Sequence, residues 1–188
     1  SRLFDEKGAD GEAFSSIVAT GPNAAMPHYN SDDSTIKRGH FVVLDFGCRC
    51  GGYCSDTTRT VFVGEPTAED RRVYEVVRKS QEAGEAAVRP GALSQDVDRA
   101  ARQIIHDAGY GAHFGNRLGH GIGIAVHEAP NIMAGDPTPL RPGMTFSIEP
   151  GIYIPGKLGI RIENIVAVTE TGCESMNLSP RELVTIGA

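Results

Sequence analysis

No apolar run in this 188-residue chain approaches the roughly 20 positions that a membrane-spanning helix requires. The opening SRLFDEKGADGE has neither the basic nor the apolar stretch of a secretory signal, so a cytoplasmic setting with no membrane partner is expected. It also lacks a methionine, and the expectation is a chain cut or processed from something longer. Positive charge is scarce too. A net charge of −6 and the absence of a Lys/Arg block argue against nucleic acid, whose phosphates demand a basic face. Cysteine is limited to Cys48, Cys50, Cys54 and Cys173. The first three form C-x-C-x3-C with no fourth ligand nearby, a spacing unlike the common structural zinc sites, so reduced thiols are expected. No shift in composition divides the chain. With 40% apolar and 22% charged residues, it reads as one folded domain over residues 1–188.

What is present alternates between strand and helix signals. FSSIVATG, residues 14–21, is β-branched and closed by Gly21-Pro22-Asn23, a strand running into a loop that holds His28. HFVVLDFG, residues 40–47, is nearly continuous in apolar residues and reads as a buried strand. With YCSDTTRTVFVG after it, a hairpin turning at Cys50-Gly51 is expected. Thr67 with Asp70 predicts a capping box and a helix to about Val88, stopped by Pro90-Gly91. Ser94 is expected to cap the next helix, where Val97, Ala100, Ala101, Ile104, Ile105 and Ala108 recur at helical spacing before Gly109. Strands resume from Leu118, ending in a hairpin through Thr171-Gly172. Strands, two helices and more strands describe an α+β domain, a curved antiparallel sheet backed by helices.

The acids are in costly places. Asp45 interrupts VVLDFG, where desolvating an unpaired carboxylate is strongly unfavourable. A two-residue turn at Cys50-Gly51 would set Asp45 opposite Asp56, with Cβ atoms about 5 Å apart, and like charges there repel unless a cation lies between them. Glu149 and Glu163 flank a loop centred on Gly156 and face one another in the same way. Plainer readings exist: an Asx turn for Asp45, or Arg161 as the partner of Glu163. The first fails mid-strand, and the second leaves Glu149 unexplained. His120, in the Gly-rich RLGHGIG, completes four carboxylates and one imidazole, and its glycines permit close backbone approach to a substrate. Oxygen donors with a single nitrogen favour Mn²⁺, with Co²⁺, Fe²⁺ and Zn²⁺ as alternatives.

These segments, VLDFGCRCGGYCSDTTRT, LGHGIGIAVHE, FSIEPGIY and GIRIEN, resemble the M24 metallopeptidases, which have the pita-bread fold. With GPNAAMPHY before the first acid and IRIEN at the last, the chain is most similar to the Xaa-Pro aminopeptidase and Xaa-Pro dipeptidase (prolidase) type. The resemblance implies a peptide partner with proline after the scissile bond, and a second copy of the chain is a candidate partner. It also implies that Asp45 binds one of two divalent metals and that Asp56 and Glu163 bridge both. His120 would bind the other, and Glu149 would bind it while helping to move protons. His127 becomes a donor to the oxyanion, and His28 a contact near the leaving proline. Arg161 would neutralise excess carboxylate charge. His40, His106 and His113 match no motif and are expected to be structural. Many Xaa-Pro-cleaving members have histidine where this chain has Asn116, which keeps hydrogen bonding but not imidazolium charge. Members usually carry a further N-terminal domain. The competing expectation is a pita-bread binding module, or a fragment that holds metal without turnover.

Overall fold

The computed structural model describes residues 2–115 and 117–187. A short helix α1 (Arg2–Glu6) leads into β1 (Gly11–Glu12) and β2 (Ile17–Thr20), followed by a 3-10 turn over Gly21–Ala25. Next come β3 (Phe41–Phe46), the small hairpin of β4 (Cys48–Cys50) and β5 (Tyr53–Cys54), and β6 (Thr57–Val63). Helices α2 (Ala68–Ala87) and α3 (Ser94–Asp107) separate these strands from the second half. That half contains β7 (Gly119–Gly121), β8 (Glu128–Ile132), β9 (Thr145–Ile148) and β10 (Gly151–Ile154). It continues with β11 (Leu158–Arg161), β12 (Asn164–Val168), β13 (Cys173–Ser175) and β14 (Val184–Ile186).

The architecture is the α+β arrangement expected, with two ladders supplying most of the frame. One runs β14-β6-β3-β2 and the other β13-β12-β9-β7-β8, with β10-β11 and β1-β4-β5 as smaller pairs. Among the described residues, every strand pairing is antiparallel except that of β14 with β6, a parallel contact that departs from the antiparallel sheet expected. The chain opens a hairpin between β4 and β5 at Gly51-Gly52, both at positive φ (58° and 85°), rather than at Cys50-Gly51. A tight hairpin turn wants left-handed backbone at both central residues, which glycine supplies and Cys50 does not. Moving the turn by one position moves every partner by two. Asp45 therefore pairs with Thr58, not Asp56.

The capping box forms as expected: the Thr67 hydroxyl accepts from Asp70 N at 3.2 Å, and Asp70 Oδ2 accepts from Thr67 N at 2.9 Å. Ser94 does not cap α3; it is the first helical residue, and Leu93 occupies the cap. The first amides of α3 are instead met by carbonyls of a passing loop, Ser94 N by Thr138 O (3.0 Å) and Gln95 N by Asp136 O (2.9 Å). No capping side chain is then needed. Gly109 (φ 85°) follows the helix as expected. Val97, Ala101 and Ile105 are fully buried, while Ala108 lies beyond the helix on the surface. The core falls into two clusters. Phe41, Phe62, Tyr74, Val77, Ile105, Ile152 and Ile160 fill one, and Val97, Leu118, Ile132, Phe146, Ile148 and Val166 the other. Full burial of each such side chain contributes about 1.5–3 kcal/mol. The helices thus fasten one side of both ladders. No helix among the described residues is long and apolar enough to cross a membrane.

Candidate metal centre and active site

Interruptions of the strands place most of the acids. Asp56 falls in the gap between β5 and β6, Glu149 between β9 and β10, and Glu163 between β11 and β12. Only Asp45 and His120 stand inside strands. Register is common to both sides of the last two gaps: Ile148 pairs with Asn164 and Gly151 with Arg161, so Glu149 and Glu163 are opposite one another as expected. At a gap the backbone is free to turn its side chain away from the pleat. The two hairpins in this way aim their acids at a common point although Asp45 and Asp56 are not cross-strand partners.

All five residues, with His28, His127 and Arg161, line one cavity of about 610 Å³. Ligand atoms of Asp56, His120 and Glu163 lie within 4.8 Å of one another. His120 Nε2 is 3.2 Å from Glu149 Oε1 and 3.8 Å from Asp56 Oδ2. On the far side of the ring, Nδ1 lies 3.1 Å from Gly121 O, which can only accept. The hydrogen on that side therefore sits on Nδ1, and Nε2 is the atom presented to the acids. Ser147 Oγ accepts from the backbone N–H of His120 and donates to Glu149 Oε1, both at 2.9 Å, tying the backbone at His120 to the Glu149 carboxylate.

Asp45, Asp56 and Glu163 are each less than a tenth exposed. One carboxylate oxygen of each is accounted for or faces His120: Asp45 Oδ2 accepts from Arg161 Nη2 at 2.5 Å, and Glu163 Oε2 from Thr58 Oγ1 at 2.6 Å. The other three, Asp45 Oδ1, Asp56 Oδ1 and Glu163 Oε1, are buried without a hydrogen-bond partner. Buried anionic oxygens without donors are strongly unfavourable unless protonated or bound to a cation. The titration behaviour follows. Burial, then the charges of Asp45 and Glu149, pushes Asp56 up to about 8. Burial and the three neighbouring acids raise Glu163 well above the carboxylate range. Burial also pushes Glu149 upward, but the hydrogen bond and charge of His120, the charge of Arg161 and the Ser147 hydroxyl outweigh it, and Glu149 sits below its ordinary value. This is a donor set that a divalent cation fits.

The Arg161 guanidinium donates four hydrogen bonds. Besides Asp45 it donates to Thr58 Oγ1, Pro27 O and Tyr153 OH at 3.0–3.2 Å, and Tyr153, Asp45 and Glu149 keep it protonated against its burial. The His127 ring stands edge-on to His120 at 4.3 Å between centroids. Burial first, then the charge of His120, lowers its pKa from 6.5, so the ring is neutral at pH 7. Arg117 also lines the cavity, and its hydrogen-bond partner is Asn131, at 3.3 Å. Asn116 lies outside the described residues. His40, His106 and His113 do not line the cavity, and the four cysteines are free thiols. Sequence reasoning overlooked Thr58, Ser147 and Tyr153, which hold the acids and Arg161. Thr58 carried a signal, since its position in TTRT put it on the buried face of β6.

The fold and this donor set define a class: an α+β protein whose strand gaps gather carboxylates and one histidine around a divalent-metal site. The chain belongs to metallopeptidase family M24, whose model matches residues 1–170. It is 47% identical over 171 residues to the probable dipeptidase PepE of Mycobacterium tuberculosis, covering 90% of this chain and 46% of that protein. Identity to the Xaa-Pro dipeptidase of Pyrococcus furiosus is 43% over 182 residues, covering 97% of this chain and 52% of the relative. The crystal structure of the X-Pro aminopeptidase from Thermotoga maritima MSB8 superposes with a TM-score of 0.96 at 41% identity, covering 98% of this chain and 53% of that one. The chain thus spans about half the length of the curated relatives it matches.

Proposed function

We propose that this chain is the catalytic domain of a dinuclear metal-dependent peptidase cleaving the bond that precedes proline, as an Xaa-Pro aminopeptidase or dipeptidase. One observation carries the reading: Asp45, Asp56 and Glu163, which line the cavity together with His120 and Glu149, each keep a buried carboxylate oxygen without a hydrogen-bond partner. Those five residues would hold two divalent ions, Asp56 and Glu163 shared between them, with Mn²⁺ the first choice for an oxygen-rich set. Such ions, when bound, lower the pKa of a water and polarise the scissile carbonyl, so no covalent nucleophile is required. Glu149, with the Ser147 hydroxyl on Oε1 and Arg161 near Oε2, would accept a proton from the attacking water and return it to the leaving nitrogen. His127, neutral, donates an N–H to the developing oxyanion. Arg161 keeps Asp45 ionised and in place. His28, on the same cavity wall, contacts the leaving proline, and Arg117 is a cation available to an anionic group of the substrate.

The relatives named Xaa-Pro dipeptidase support the substrate class. The test is turnover of an Xaa-Pro dipeptide and an Xaa-Pro-Yaa tripeptide by EDTA-treated protein before and after Mn²⁺ is added. Metal-dependent release of the first residue is expected. Metal binding without hydrolysis of either peptide would leave a binding module in place of an enzyme.

A further inference from the structure

Asp56 and Glu163 come from different ladders. Asp56 precedes β6, which pairs with β3 and β14, while Glu163 precedes β12, which pairs with β9 and β13. No ladder joins β6 to β12, and among the described residues one backbone hydrogen bond crosses that seam, Glu163 N to Thr58 O at 3.1 Å. If these two acids share cations, their separation must be held to a few tenths of an ångström across a junction that the sheets themselves do not clamp.

Thr58 reaches across with its bond to Glu163 Oε2, and Thr60 with bonds to Arg161 O and N; two longer side chains that do not line the cavity also span the junction. Arg59 uses all five of its N–H donors. It donates to Thr58 O (2.8 Å) and Glu163 O through Nη1, to Asn164 Oδ1 and Ser179 O (both 2.8 Å) through Nη2, and to Pro180 O (2.9 Å) through Nε. It therefore ties the backbone of β6 to the backbone at Glu163 and both to the segment after β13. Asn177, in that segment, accepts from Ile165 N in β12 at 2.6 Å and donates to Asp56 O at 3.1 Å and to Thr57 Oγ1. A single amide group thereby joins the carbonyl of Asp56 to the strand that follows Glu163. Both residues are half-buried, and their bonds join the two sides of the junction to each other and to the segment after β13.

We propose that Arg59 and Asn177 are positioning residues that set the spacing of Asp56 and Glu163, and that divalent-metal affinity depends on them. The proposal rests on reading those two acids as ligands. It is tested by calorimetric titration of Mn²⁺ into the EDTA-treated full chain, comparing the parent with Asn177→Ala and with Leu178→Ala, which alters an exposed neighbour. Loss of an outer support is expected to weaken Mn²⁺ binding by about tenfold in Asn177→Ala. Leu178→Ala should titrate like the parent. Peptide turnover by Asn177→Ala should fall at limiting Mn²⁺ and recover at saturating Mn²⁺, a split that a general loss of stability does not produce. Should Asn177→Ala fail to fold, Arg59→Lys, which keeps the charge but at most three of the five donors, carries the same expectation. A lower melting temperature with unchanged Mn²⁺ affinity would show that these bonds only stabilise the fold, overturning the proposal. A parent protein that takes up no Mn²⁺ would overturn the ligand reading itself.

Discussion

Stripping divalent metal from this fold and then raising the pH should destabilise it through Asp56 and Glu163. Burial and neighbouring acids push Asp56 from 3.8 in the unfolded chain to about 8 in the folded one, and raise Glu163 in the same direction. An acid whose folded pKa is raised keeps its proton in the native state while the unfolded state has released it. The stability this provides is present below the unfolded value and is lost as pH rises through the folded one. Two other groups define the window. Glu149, with a depressed pKa, acts only at acid pH, and His127, lowered from 6.5, ceases to contribute a slope above that value. Between pH 6.5 and 8, the proton retained on Asp56 should therefore reduce stability by about 2 kcal/mol, or about 4–8 °C in Tm for a chain of this size, with Glu163 acting in the same direction. Mn²⁺ at a hundredfold excess over its Kd adds about 2.7 kcal/mol, and competes less with protons as pH rises. Melting curves with EDTA and with Mn²⁺ at pH 5, 6.5 and 8 should show a metal-induced rise that is largest at pH 8. An EDTA curve flat from pH 6.5 to 8 and coincident with the Mn²⁺ curve would refute the reasoning.

Asp45→Asn should lower Mn²⁺ occupancy and peptide turnover together, because it removes a charge from the proposed ligand set and weakens the pair with Arg161; metal analysis alongside kinetics checks it, and full activity at full purity would count against the site. Gly119→Ala should reduce stability by at least about 2 kcal/mol and abolish Mn²⁺ uptake, since the added Cβ would lie 1.9 Å from the Ser147 carbonyl oxygen, beside His120. Thermal melts and a metal titration read both effects. Asn116→His restores the imidazole common among Xaa-Pro-cleaving members; it should raise turnover of Xaa-Pro substrates without changing metal content, and kinetics with no gain would make Asn116 an accommodated variant.

How much of this was legible in the residues depends on which forces are local. The Thr67/Asp70 cap and the apolar face of α3 were readable because each is decided within a few positions by hydrogen bonding or by helical periodicity. The Gly156 hairpin was readable for the same reason, and it put Glu149 across from Glu163. The Asp45–Asp56 pairing failed on a one-position choice of turn, although the pair of glycines at 51 and 52 pointed to the right one through their tolerance of positive φ. The inference of a cation survived that error. What drove it was the cost of a carboxylate inside an apolar run, and that cost stands wherever the second acid is aimed from. The cap of α3 was misplaced because its donors are met by a loop some forty residues away, a partner no window of sequence contains.

The supports of the site were hidden for a related reason. Thr58, Ser147, Arg59 and Asn177 act through hydrogen bonds to residues up to 121 positions distant, and hydroxyls, amides and guanidinium groups are common enough that position alone does not mark them. A ligand set announces itself by concentrating like charge, which is unfavourable and therefore conspicuous. The residues that hold it satisfy ordinary backbone carbonyls and amides, which is favourable and therefore unremarked. A metal centre assembled at gaps between separately paired strands needs both kinds. Only the first leaves a mark that can be read before the fold is known.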